Sequence, residues 1–223
     1  MCGRNSLFAP ARVLEQRFEA DLLIPGYRPQ YNITPGQPHP VVTSEAPTDI
    51  VACRWGLRPK WAGPDHDGFI NARAETAHEK PAFKEAWESR PCLVLTSGFY
   101  EWRAADRGPK QPFRIYRPGD PAFAMAGLWE PSGDRPGSVT ILTTEPNDLV
   151  APIHDRMPVV LRRSDEGEWV TGDAQARREL CRPYPGDDLD AYPISRRVNN
   201  PSNDDPTIIE RIDDPQTGLG EFA

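Results

Sequence analysis

The chain has 223 residues, 38% of them hydrophobic and 26% charged, with a formal net charge of −7. That length suits one domain of ordinary to large size. No apolar run approaches a membrane span and residues 1–20 carry no signal-peptide core, so a soluble, cytoplasmic globule is expected, and the acidic balance argues against indiscriminate nucleic-acid binding.

The first residues read Met1-Cys2-Gly3-Arg4. Removal of Met1 leaves a free α-amine and a thiol on one residue, a combination no internal cysteine has. The amine can condense with an aldehyde to an imine, and the thiol can close on the imine carbon to a thiazolidine ring. A held nucleophile gains a large effective concentration in such a closure. An α-amine near ~7.7–8.0 and a thiol near ~8.5 are both partly reactive at neutral pH. The plain alternative is that Cys2 stands by chance at a flexible end.

Pro10 opens a predicted helix with Val13, Leu14 and Phe18 on one face. A second is predicted near 80–88, with Phe83, Ala86 and Trp87 at helical spacing, and a more polar third near 173–181. Short β-rich runs fall at 50–55, 92–97, 112–117, 122–127, 138–144 and 157–161. The 26 prolines are spread throughout, which gives short elements and many loops. The predicted fold is α+β: mostly antiparallel short strands forming a barrel-like or sandwich core, with a few peripheral helices. One domain is expected over residues 1–202, followed by an acidic arm at 203–223. Residues 199–223 hold six acidic side chains against Arg211, and so five of the seven net negative charges. From Asn199 onward the composition reads as a trailing surface arm.

The cysteines (Cys2, Cys53, Cys92, Cys181) form no Cys-x-x-Cys pair, and the histidines (His39, His66, His78, His154) lack metal-ligand spacing. No metal and no cofactor are expected. Cys53 and Cys92 read as small core residues in strands, and Cys181 as a free thiol. Lysine occurs only at 60, 80, 84 and 110, so the remaining basic residues are arginines, whose planar fork suits phosphate oxygens.

Four segments interrupt apolar context with chemically capable residues. They are Met1–Arg4, Phe69-Ile70-Asn71-Ala72-Arg73-Ala74-Glu75-Thr76, Gly98-Phe99-Tyr100-Glu101-Trp102 and Ile153-His154-Asp155-Arg156-Met157-Pro158. Each alone has a bland explanation: a turn-forming Asn, a solvated Glu at a strand end, a hydrogen-bonded surface His. A carboxyl beside Phe99, Tyr100 and Trp102 can have its pKa raised by apolar surroundings, which suits proton donation near neutral pH. A histidine exchanges protons there with little tuning.

Together, and in this order, the four segments resemble the SRAP family, the SOS-response-associated peptidases that process abasic sites. Further matching stretches are Asn32-Ile33-Thr34-Pro35-Gly36, Arg54-Trp55-Gly56-Leu57, Lys110-Gln111-Pro112-Phe113, Leu142-Thr143-Thr144 and Ile194-Ser195-Arg196. The resemblance weakens after about residue 199 and leaves the acidic arm unexplained. It implies autocatalytic loss of Met1 and capture by Cys2 of the ring-opened aldehyde of an abasic site in single-stranded DNA, as a covalent DNA–protein crosslink. It implies that Asn71 orients the amine or sugar oxygen, that Glu101 is the acid/base, and that His154 protonates the opening sugar and assists reversal.

Arg4, Arg73 and Arg156 are candidates for phosphate contacts, with Thr143 beside them, and Trp61 and Trp102 for stacking on bases. Stacking is worth ~1–3 kcal/mol per base and is indifferent to sequence. The competing expectation is that the arginines pair with acids such as Glu75 or Asp155, and that tryptophans are core, which is preferred for Trp55 and Trp87. A monomer acting in the cytoplasm, at the nucleoid, is expected. Two other functions fit parts of the pattern. One is a cysteine peptidase using Cys2, His154 and Glu101 on other proteins. The other is a single-strand-binding module that leaves no adduct.

Overall fold

The computed structural model describes residues 2–213 apart from positions 64, 106 and 134, and apart from the side chains of 135 and 136. Met1, and Asp214 and Glu221 of the acidic stretch, lie outside the described residues.

Two sheets carry the fold, as the α+β reading predicts. The first runs in the order β13-β9-β8-β1-β3, built from Asp190–Pro193 (β13), Gln111–Tyr116 (β9), Gly98–Arg103 (β8), Asn5–Leu7 (β1) and Gln30–Ile33 (β3). All its pairings are antiparallel. The second closes on itself. Ala46–Trp55 (β5), Pro38–Thr43 (β4), Pro91–Thr96 (β7), Phe123–Ser132 (β10) and Arg135–Thr144 (β11) pair in turn, and β11 pairs back onto β5 in parallel. Closure removes the exposed edges that an open sheet of this kind would present. Asp21–Leu22 (β2) flanks β5. Asn71–Arg73 (β6) continues along β11 just beyond the point where β5 leaves it: Val139 faces Trp55, and Ile141 faces Asn71.

Among the described residues five short α-helices surround the sheets: Ala11–Phe18 (α1), Ala74–Ala77 (α2), Lys84–Ser89 (α3), Arg163–Thr171 (α4) and Ala174–Leu180 (α5). The predicted helices correspond to α1, α3 and α5. α4 is absent from the sequence prediction for a physical reason. Its buried positions are Glu166, Trp169 and Val170, at helical spacing, but the first is an acid whose carboxylate meets Arg17 in a two-bond pair at 2.7 and 3.0 Å. An apolar stripe is therefore missing from the sequence. Helix α4 packs on the ring, where Trp169 Nε1 donates to the carbonyl of Cys92 at 3.0 Å.

Every residue of β7 is buried, because strands of the ring face its filled interior on one side and helices on the other. Trp55 and Trp87 are core, and Cys53 and Cys92 are buried in β5 and β7. The predicted strand at 157–161 divides. Only Met157–Pro158 (β12) pairs with β11, after which Val160 bridges to Met125 and Leu161 bonds to Ala124, so the run crosses from β11 to β10.

Over 199–213 the segment lies on the surface, as expected, but is docked rather than trailing. Asp204 Oδ1 accepts from the backbone amides of Tyr31 and Asn32 at 2.5 and 3.0 Å, and Ile208 is buried with Tyr100, Tyr192, Ile194 and Val198 on the outer face of the first sheet. That face needs a cover, since Tyr100 and Tyr192 would otherwise be exposed, and the C-terminal residues supply it.

Candidate active site at the junction of the two sheets

Strand β1 pairs with β8 so that Asn5 faces Phe99, and the amide of Tyr100 donates to the Arg4 carbonyl at 3.0 Å. Continuing that register carries Gly3 and Cys2 past Glu101 and Trp102. Residues of a strand alternate between faces. Phe99 joins the main core, Tyr100 and Trp102 join the outer cluster, and Glu101 therefore shares the inward face with Phe99. Gly98 starts this strand at φ +149, where a Cβ would stand 2.9 Å from the carbonyl of Ile115, so only glycine permits the approach.

Cys2 is 0% exposed. Burial pushes its thiol pKa far up, and the nearby Glu101 charge adds to the effect. Its sulfur lies 4.0 Å from the Arg4 carbonyl. Asn71, the first residue of β6, donates from Nδ2 to the Cys2 carbonyl at 2.7 Å. Its Oδ1 is buried and has no hydrogen-bond partner among the described residues. Glu101 is 2% exposed, and burial raises its pKa from 4.5 to about 7. The positive amino terminus opposes that rise, Asp155 adds to it and Lys110 opposes it.

His154 lies in the loop before β12, with Nε2 3.8 Å from Glu101 Oε2. Its Nδ1 accepts the backbone N–H of Arg156 at 3.0 Å, which assigns the proton of the neutral ring to Nε2. Burial lowers the histidine's pKa, so the neutral ring is favoured near pH 7. Two sheets thus bring Cys2, Asn71, Glu101 and His154 together from four separate parts of the chain. Among the described residues no group of three or more His, Cys, Asp or Glu is arranged to hold a metal ion.

The candidate DNA-contact residues divide. Thr143 is 0% exposed and its hydroxyl donates to the Ala72 carbonyl at 3.4 Å, so it has no surface to offer a strand. Arg4 turns inward: its guanidinium donates to Asn32 Oδ1 at 2.8 Å, to the Val198 carbonyl and to the Asn199 carbonyl at 3.3 Å, and lies over the Trp102 ring. Trp102 is half-buried and its Nε1 donates to Asn199 Oδ1 at 2.8 Å. Arg156 takes the competing alternative, with a two-bond pair to Glu75. Arg73 is exposed, and its side chain makes no hydrogen bond or ion pair among the described residues. Trp61 is 63% exposed, with its ring against His66.

Two residues near the site carry no role in the sequence reading. Asn32 binds Arg4 and donates to three carbonyls of the C-terminal segment, those of Val198, Asn200 and Asn203. Lys110 adds positive charge within range of both Glu101 and His154. The available signals for Lys110 are its place in the matching stretch Lys110-Gln111-Pro112-Phe113 and its rarity, as one of four lysines in an arginine-rich chain.

Residues 1–201 match the family described as SOS response associated peptidase (SRAP). The chain is 39% identical over 222 residues to "Abasic site processing protein YoqW" of Bacillus subtilis, covering 94% of this chain and 99% of that protein. It is 37% identical to "Abasic site processing protein YoaM" of the same organism, covering 94% and 98%. A crystal structure of a protein from Bacteroides thetaiotaomicron superposes with a TM-score of 0.84 at 28% identity, covering 95% of this chain and 100% of that one.

Proposed function

Since the chain belongs to the SOS response associated peptidase family, we propose that it processes abasic sites in single-stranded DNA through a thiazolidine crosslink at Cys2. Loss of Met1 frees the α-amine. The amine attacks the C1′ aldehyde of the ring-opened sugar to give a carbinolamine, which expels water to form an imine. The thiol then adds across the C=N bond, sulfur to carbon and proton to nitrogen.

The observation that carries this reading is the convergence on Cys2 of one neutral holder and two proton carriers. Asn71 grips the Cys2 carbonyl, and its Oδ1 is available to accept from the amine. Glu101, held near neutrality by burial, can donate the proton that leaves with the carbinolamine oxygen. His154, 3.8 Å from Glu101, can protonate the sugar as it opens and return a proton on reversal.

The state of the thiol favours aldehyde capture over a general cysteine peptidase. A peptidase attacks first with a thiolate. Burial of Cys2 keeps its thiol protonated, whereas in the crosslinking sequence the amine attacks first. Arg73 and Trp61, both exposed, are the proposed strand contacts, one to phosphate and one to a base.

Incubation with an abasic single-stranded oligonucleotide, followed by denaturing electrophoresis and intact mass, tests the proposal. The expected product is a stable adduct that Cys2→Ala abolishes. A full yield of adduct from Cys2→Ala would refute it, and turnover of added peptides without any adduct would favour the peptidase.

A further inference from the structure

We propose that Glu75 is a positioning residue: through Arg156 it fixes the tautomer of His154, so that a protonated Nε2 faces Glu101. The inference rests on the role given above to His154.

The geometry begins with one short run. Asn71 opens β6 and holds Cys2, and Glu75 lies in the first turn of α2, directly after β6. A single segment therefore reaches toward both the nucleophile and the histidine loop. Both Glu75 oxygens accept from Arg156, at 2.7 and 2.8 Å, and Arg156 Nη2 also donates to the Thr143 carbonyl at 2.5 Å. Thr143 pairs with Arg73 on β6, so the anchor closes on the same strand. The Arg156 side chain is 13% exposed. A planar guanidinium held by two parallel bonds and a backbone carbonyl has little rotational freedom. Arg156 holds Glu75 charged, below the usual carboxylate range.

The anchored arginine presents its own backbone N–H to His154 Nδ1 at 3.0 Å. A rival stands beside it: Asp155 Oδ1 is 2.8 Å from the same nitrogen. A carboxylate accepts only, so it favours a proton on Nδ1, and the backbone amide favours a bare Nδ1. The two demand opposite tautomers. If Arg156 is released, the ring proton moves to Nδ1, which donates it in a hydrogen bond to Asp155, and Nε2 becomes an acceptor that can no longer donate toward the substrate or Glu101. The charged groups facing the ring are Glu101 from β8 and Asp155 from its own loop, with Lys110, just before β9, adding positive charge within range.

The test uses the full chain and Glu75→Ala, Glu75→Gln and Arg156→Lys. Nitrogen-15 shifts of the His154 ring, identified by difference against His154→Gln, report the tautomer directly. Wild type is expected as the Nε2–H form, with Glu75→Ala and Arg156→Lys shifting toward Nδ1–H and toward a higher histidine pKa. Glu75→Gln keeps an acceptor for the guanidinium and is expected to retain the wild-type tautomer. In single-turnover crosslinking, Glu75→Ala should slow adduct formation about tenfold at pH 7 and shift the pH profile, with Glu75→Gln near wild type. Should Glu75→Ala not fold, Arg156→Lys carries the same expectation. A folded Glu75→Ala or Arg156→Lys with an unchanged tautomer and pH profile would overturn the proposal. A tautomer change in a protein that forms no adduct would support the Glu75 linkage while counting against the abasic-site reading.

Discussion

The side-chain amide of Asn71 donates to the carbonyl of Cys2 across 2.7 Å, tying the first residues of the chain to a strand of the ring. Asn71 is set by parallel pairing with β11 and Cys2 by the register of β1 on β8, so one bond fixes the nucleophile relative to both sheets. Loss of such a bond costs ~1–3 kcal/mol where a buried group is left unsatisfied. Asn71→Ala is therefore expected to slow adduct formation by about 10- to 100-fold. Asn71→Asp, which sets an acceptor against the carbonyl, should be slower still. Rates of adduct formation within a factor of two of wild type for Asn71→Asp would remove Asn71 from the site.

Glu101 makes stability depend on pH. Its carboxyl titrates near 7 in the folded protein against an ordinary 4.5, so the native state binds the proton more tightly than the unfolded state. The associated stability is fully present below about 4.5 and is lost as pH rises through about 7, a swing of ~3 kcal/mol. Glu101→Gln should therefore match wild type in thermal stability at pH 4 and exceed it at pH 8. Parallel melting temperatures across that range would contradict a buried, neutral carboxyl.

Two arginines of the same sequence class are expected to behave differently. Arg73→Ala should leave the melting temperature unchanged and reduce the salt slope of single-strand binding by about 0.7. Arg4→Ala strips donors from Asn32, Val198 and Asn199 and should cost ~1–3 kcal/mol of stability. Urea unfolding and salt titrations of both variants separate the roles, and the reverse pattern would mean that the inward contacts of Arg4 are dispensable.

Trp61 packs against little of the fold, so Trp61→Ala should leave stability within about 0.5 kcal/mol of wild type. As a stacking platform its loss should weaken single-strand binding by ~1–3 kcal/mol. Fluorescence anisotropy with an unmodified oligonucleotide measures this, and equal affinities would exclude the indole from the interface.

Asp204 receives two backbone amides of β3, so Asp204→Ala should destabilise by ~1–3 kcal/mol although the residue belongs to the acidic C-terminal stretch. Unchanged denaturant midpoints would restore the picture of a trailing surface arm.

Much of the candidate site was legible in the residues themselves. Cys2, Asn71, Glu101 and His154 stand in distinctive local motifs, but the raised pKa of Glu101 comes from its burial on the inward face, opposite Tyr100 and Trp102. Apolar periodicity locates α1, α3 and the runs that become β5, β7, β9, β10 and β11, whereas β4 and β8 carry no strand prediction. Motif and periodicity are short-range properties, set by a residue and its neighbours along the chain.

What the chain order could not convey is which distant partner each polar group meets. Thr143 and Arg73 sit in equally plausible motifs, yet pairing of β6 with β11 buries one and exposes the other. Arg156 binds Glu75 from 81 positions away, Arg4 reaches Val198 across 194, and the acidic stretch docks because two tyrosines on the outer face of the first sheet need cover. Local pattern specifies which groups must be satisfied. Closure of the ring and the packing of the two sheets decide who satisfies them, because a buried donor binds whichever acceptor the tertiary fold brings within about 3 Å.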